Sequence, residues 1–123
     1  MIEYIPTPGM ERFWTALGAF VENHCLVVDR PAGSRHPSFP DVRYPLDYGY
    51  LEDTSGGDGE GIDVWVGAGP EGGITGIVCT LDVMKGDLEI KILMHCTQDE
   101  QALILAFHQQ HHQHAVLIPR SLR

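Results

Sequence analysis

A chain of 123 residues, 43% hydrophobic and 20% charged, reads as one domain spanning 1–123 and is long enough to bury a core of its own. Its net charge of −9 argues against nucleic acid and against an anionic membrane surface as partners, because both need a positive footprint. No apolar run is long enough to span a bilayer, and the opening MIEYIPTPGMER has neither the basic nor the apolar segment of a secretory signal.

Pro8 and Gly9 open a helix expected from Met10 to about Asn23. Phe13, Trp14, Leu17, Phe20 and Val21 recur there at helical spacing as one apolar stripe. Cys25 to Asp29 is a short, mostly apolar run, as in a buried strand. Arg30 to Arg43, RPAGSRHPSFPDVR, must be a loop. It gathers Arg30, Arg35, His36 and Arg43 in an otherwise acidic chain. Guanidinium matches phosphate in a bidentate way, so this loop is either a phosphate-binding element or an exposed loop with solvating charges.

Tyr44 to Leu51 alternates Tyr44, Leu46, Tyr48 and Tyr50 with Pro45, Asp47, Gly49 and Leu51, the period of a strand. Glu52 to Glu60 then packs four acids among three glycines, Thr54 and Ser55, a composition that forms no core. In the next strand Ile62, Val64 and Val66 alternate with Asp63 and Trp65, so Asp63 faces away from the aliphatic side chains. Asp58, Glu60 and Asp63 thus stand at the mouth of one strand. Acids this close repel one another unless cations neutralise them. Spacing alone allows a solvated hairpin loop or a cation site, and it does not match the EF-hand pattern.

AGPEGG makes a turn, and Ile74 to Val83 reads as a strand that is apolar on both faces. After a turn at Lys85 to Asp87, Leu88 to His95 alternates again and puts Glu89 and Lys91 on one face, ordinarily a solvated one. Thr97 and Glu100 form a capping box for a helix expected from Gln98 to about His112. Leu103, Ile104 and Phe107 face its core side. His108, His111, His112 and His114 crowd its end; His108 and His112, at i and i+4, could hold a transition metal or simply face water. Cys25, Cys79 and Cys96 lie in apolar contexts without a C-x-x-C pair, as expected of reduced thiols in the core of a cytoplasmic protein.

Short strands flanked by helices indicate a small, mostly antiparallel barrel. YPLDYGY followed by DGEGIDV resembles the signature of the family I soluble inorganic pyrophosphatases, Y-P-x-N-Y-G-Y then D-G-D-P-x-D-V. The stretch DRPAGSRHP resembles the short bacterial members, and the likeness runs from about Cys25 to Lys91. It implies a mainly β fold, a small five-stranded OB-type barrel with flanking helices, and Mg²⁺-dependent hydrolysis of pyrophosphate by a homo-oligomer. By the same resemblance, Asp58, Asp63 and Glu89 bind Mg²⁺, with Asp63 bridging two ions, and Glu60 deprotonates the attacking water. Arg30, Lys91 and Tyr48 contact substrate. Arg43, from the basic loop, and His112, at the position of a family Tyr-Lys pair that falls on His111 and His112, complete the substrate-binding candidates.

The departures are Asp47 for Asn, Gly61 for Pro, Glu60 and Glu89 for Asp, and histidines for the Tyr-Lys pair. A further acidic ligand has two candidates, Asp82 and Asp87. Two rival readings are hydrolysis of a larger phosphoanhydride or phosphate ester, such as a nucleotide, and a non-catalytic barrel that binds Mg²⁺-phosphate compounds.

Overall fold

Residues 7–70 and 72–120 are described by the computed structural model; Glu71, in the turn expected over 68–73, lies outside them. The elements run α1 (Met10–Glu22), β1 (Leu26–Arg30), β2 (Asp47–Leu51), β3 (Asp63–Val66), β4 (Ile74–Asp82), β5 (Asp87–Met94), α2 (Gln98–Phe107) and β6 (Gln113–Pro119). They form one six-stranded mixed sheet in the order β1-β2-β3-β5-β4-β6. All neighbours are antiparallel except β3 and β5, which run parallel.

Two expectations are corrected here. The sheet has six strands rather than five, and among the described residues no pairing joins β1 to β6 to close it into a barrel. The added strand is β6. The helix expected to reach His112 instead ends at Phe107 with His108 as its cap, which frees the run HAVLIP to pair with β4 at the sheet edge. Pro119 is tolerated there because an edge strand has one side without ladder bonds.

Each face of the sheet carries its own core. On one face α1 lays Trp14 and Val21 against Leu51, Val64, Ile74, Ile77 and Ile92. Phe13 and Phe20 stay exposed: the stripe read from the sequence is wider than the face the helix covers. On the other face Ile104 of α2 joins Tyr44, Trp65, Val78, Leu93 and Cys96. The capping box forms as expected. The Glu100 amide donates to Thr97 Oγ1 at 3.1 Å and the Thr97 amide to Glu100 Oε1 at 2.9 Å. Glu100 also accepts from the Ala68 amide at 3.1 Å, which ties α2 to the turn after β3. Cys96 is buried, but Cys25 is exposed and Cys79 intermediate, so the thiols are not all packed in a core. Among the described residues no helix is long and apolar enough to cross a membrane.

Candidate functional site

The face under α2 also carries the chemistry, and strand register explains why. Tyr48 pairs with Trp65 and Tyr50 with Asp63 across the antiparallel β2–β3 ladder, so these four side chains share a face. β3 and β5 run parallel with Val64 opposite Ile92. Asp63 and Lys91, each one residue earlier, therefore point the same way, and Glu89 follows two residues before Lys91. On the opposite edge of β2, an irregularity between Val28 and Arg30 sets Arg30 opposite Tyr48.

The acidic turn folds down onto β5 because Gly57 lets it. A Cβ at Gly57 would collide with the Leu88 carbonyl oxygen and sit 3.2 Å from Glu89 Cγ, so only glycine allows this approach. Asp58 follows directly, its Oδ1 accepting from the Glu60 amide at 2.9 Å. One carboxylate oxygen each from Asp58, Asp63 and Glu89 lies within 4.8 Å of the others. Asp58, Glu60 and Asp63, with Arg30, Tyr48 and Tyr50, line an open cavity of about 470 Å³.

Lys91 sits among these acids and is only 5% exposed. It donates to Asp63 Oδ2 at 2.7 Å, to Tyr48 Oη at 2.9 Å and to Glu89 Oε1 at 3.2 Å. Those bonds use all three N–H groups of the ammonium. The outer solvated face allowed by the sequence is thus replaced by a buried ion cluster. Burial disfavours the charged lysine, but the Tyr48 oxygen and the carboxylates of Asp63 and Glu89 outweigh it, so the Lys91 pKa is raised. Burial pushes the Glu89 carboxyl up; Lys91 opposes this, while Asp58 and Asp63 add to it. The Tyr48 phenol is likewise raised, by burial first, and keeps its proton.

Three carboxylates against one ammonium leave two uncompensated negative charges. The donors are all hard oxygens, the set that suits Mg²⁺ or Ca²⁺ rather than a soft transition metal. A divalent cation therefore fits these residues by charge and by donor chemistry.

The other sequence candidates fall elsewhere. Arg43 donates from Nη1 to the Gly33 carbonyl at 2.9 Å, stitching the basic loop, and lines neither this cavity nor its neighbour. Asp47 Oδ1 accepts from the Ala32 amide at 2.9 Å. An asparagine side-chain oxygen would accept this bond equally well. Asp82 Oδ1 accepts from the Met84 and Lys85 amides, each at 3.0 Å, and neither it nor Asp87 belongs to the acidic cluster.

His112 lines a second cavity, on the far side of Tyr44 and Tyr48. His108 is not its metal-binding partner. Trp65 Nε1 donates to His108 Nε2 at 3.0 Å, which leaves the proton on Nδ1, facing Gln113 Oε1 at 3.0 Å. Both ring nitrogens are used, and burial, helped by the charge of Lys91, lowers the His108 pKa to about 4. Tyr44, Tyr50, Gly57 and Asp29 also shape the site and were not singled out from the sequence. The shared alternation of Tyr44, Tyr48 and Tyr50 was the available signal for the two tyrosines.

No protein-family model and no curated protein matches the chain. Among solved structures it is similar to an inorganic pyrophosphatase from Coxiella burnetii, with a TM-score of 0.49 and 17% identity, over 75% of this chain and 81% of that one. A likeness this distant decides nothing about the chemistry of the acidic cluster.

Proposed function

We propose that this chain is a metal-dependent hydrolase of phosphoanhydrides, with inorganic pyrophosphate as its simplest substrate and Mg²⁺ held by Asp58, Asp63 and Glu89. The observation that carries the reading is the convergence of three carboxylates around a buried lysine, at the edge of a cavity that also receives Arg30 and Glu60. The sequence resemblance to the pyrophosphatase signature supports the same conclusion.

Mg²⁺, when bound, supplies charge screening for the phosphates and acidifies a nucleophilic water. The protein's own groups do the rest. Glu60, exposed at the cavity wall, accepts the proton of the attacking water. Water oxygen bonds to one phosphorus, the bridging P–O bond breaks, and the second phosphate departs with the bridging oxygen. Arg30 holds phosphate oxygens from the β1 side, and the Tyr48 O–H hydrogen-bonds at the floor. Lys91 has all three donors engaged, so it reaches phosphate only by releasing Tyr48, Asp63 or Glu89. Were a carboxylate oxygen of Asp63 or Glu89 engaged by a bound cation, Lys91 would be freed toward phosphate, so phosphate affinity is expected to depend on Mg²⁺.

The test is phosphate release from pyrophosphate with and without Mg²⁺, for wild type, Asp63→Asn and Glu60→Gln. Release should require Mg²⁺ and fall about 10²- to 10⁴-fold on losing the general base. Metal-independent release, or full activity in both variants, overturns the mechanism. Pyrophosphate that protects wild type against thermal unfolding without being hydrolysed identifies a binding protein instead.

A further inference from the structure

The second cavity, about 280 Å³ in volume, is walled largely by rings, with Lys85 and Lys91 also in its lining. Its lining includes His36, Phe39, Tyr44, Phe107 and His111, with Met84 at the mouth. The rings form a continuous aromatic surface. Phe39 and His111 stack at 4.0 Å with 9° between their planes, His36 and Tyr44 are parallel within 2° at 5.9 Å, and Tyr44 and Phe107 meet at 5.1 Å. Phe39 is 38% and Met84 71% exposed, apolar surface that an occupant would cover. Ser38, Lys85 and Gln110 add polar groups to the lining. A few polar groups in an aromatic cleft are the makings of a small-molecule site. The volume exceeds the roughly 150 Å³ that suffices for benzene and suits one planar ring system.

This cavity adjoins the acidic one across two shared residues. Tyr44 and Tyr48 line both, and Tyr48 Oη lies 2.9 Å from Lys91 Nζ. Arg30 lines the acidic cavity and Lys91 the aromatic one, so a molecule with its phosphates between these two cations would direct a substituent past Tyr44 and Tyr48 onto the rings. We propose that the aromatic cavity is a second subsite that stacks the base of a nucleoside di- or triphosphate, whose phosphates occupy the acidic cavity. The inference rests on the hydrolase reading and narrows its substrate class. The reaction keeps the same balance: water adds to the terminal phosphorus, the bridging P–O bond breaks, and the shortened nucleotide leaves with the bridging oxygen. The proton of the water passes through Glu60 to solvent.

The experiment pairs turnover with binding. Phosphate release is measured from pyrophosphate and from ADP under the same Mg²⁺, and AMP, which has no anhydride to split, is titrated by calorimetry. Wild type, Phe39→Ala and Phe39→Trp are compared; Phe39 lies at the exposed rim, and near-ultraviolet circular dichroism checks the folding of the variants. Losing one stacking ring is expected to weaken AMP binding and lower kcat/KM for ADP about tenfold, with pyrophosphate turnover within about twofold and Phe39→Trp restoring both losses. If pyrophosphate is hydrolysed but AMP does not bind, the subsite is refuted and the hydrolase reading stands. If AMP binds in a Phe39-dependent way and nothing is hydrolysed, the hydrolase reading fails and the subsite stands. Equal losses for pyrophosphate and AMP mean that the cavity holds phosphate, which overturns the inference.

Discussion

Lys91→Met keeps most of the aliphatic stem and removes the ammonium, which makes it a direct probe of the charge balance at the site. Wild-type Lys91 is 5% exposed, and its carboxylate partners Asp63 and Glu89 have side chains 21% and 18% exposed. Removing one member of a buried ion pair typically costs about 3–5 kcal/mol. Partial solvent access to the two acids places the loss here nearer about 2–3 kcal/mol, a large share of a total stability of about 5–15 kcal/mol. The variant also leaves three carboxylates facing one another with no cation among them. Added Mg²⁺ should consequently stabilise it by more than it stabilises wild type, by about 1 kcal/mol or more once the ion is well above its Kd. Urea unfolding followed by fluorescence of Trp14 and Trp65, both buried, measures both effects. Wild-type stability in the variant, or an identical Mg²⁺ increment in the two proteins, would refute the proposed balance of charge.

Three further outcomes are expected. Gly57→Ala forces the acidic turn off the Leu88 carbonyl and should weaken Mg²⁺ binding about tenfold by calorimetry, an energy of about 1.4 kcal/mol, with little change in the urea midpoint because the turn is exposed. His108 has a folded pKa of about 4 against 6.5. The folded state thus binds fewer protons than the unfolded one, and stability present above pH 6.5 is lost as pH falls to about 4, by up to about 3 kcal/mol. The difference between wild type and His108→Gln in urea unfolding across that window should carry this slope; a flat difference contradicts the buried neutral imidazole. Finally, the homo-oligomer implied by the family resemblance has a candidate face for a second copy in Leu81, Leu88, Ile90 and Val116. Their strands pair Leu81 with Leu88 and Cys79 with both Ile90 and Val116, and all four are exposed, an apolar grouping that monomers seldom leave bare. Sedimentation should find an oligomer that Ile90→Glu converts to monomer, and a monomeric wild type would remove that proposal.

Local pattern in the chain encodes part of this structure directly. Alternation assigned Tyr48, Asp63, Glu89 and Lys91 to one side of their strands, and the helix of Thr97 and Glu100 announced its own start through the capping box. These features depend on neighbours two to four residues away and are written in the chain directly. The gathering of acids around Lys91 depends instead on parallel pairing between β3 and β5. That pairing joins Asp63 to a lysine 28 residues away in the chain. Closure was equally beyond local reach, since a strand alternates in the same way in a barrel and in an open sheet. The histidines show the division most plainly. The i,i+4 spacing of His108 and His112 is legible, but only packing against Trp65, 43 residues earlier, turns His108 into a buried, neutral hydrogen-bond bridge and leaves His112 lining the aromatic cavity.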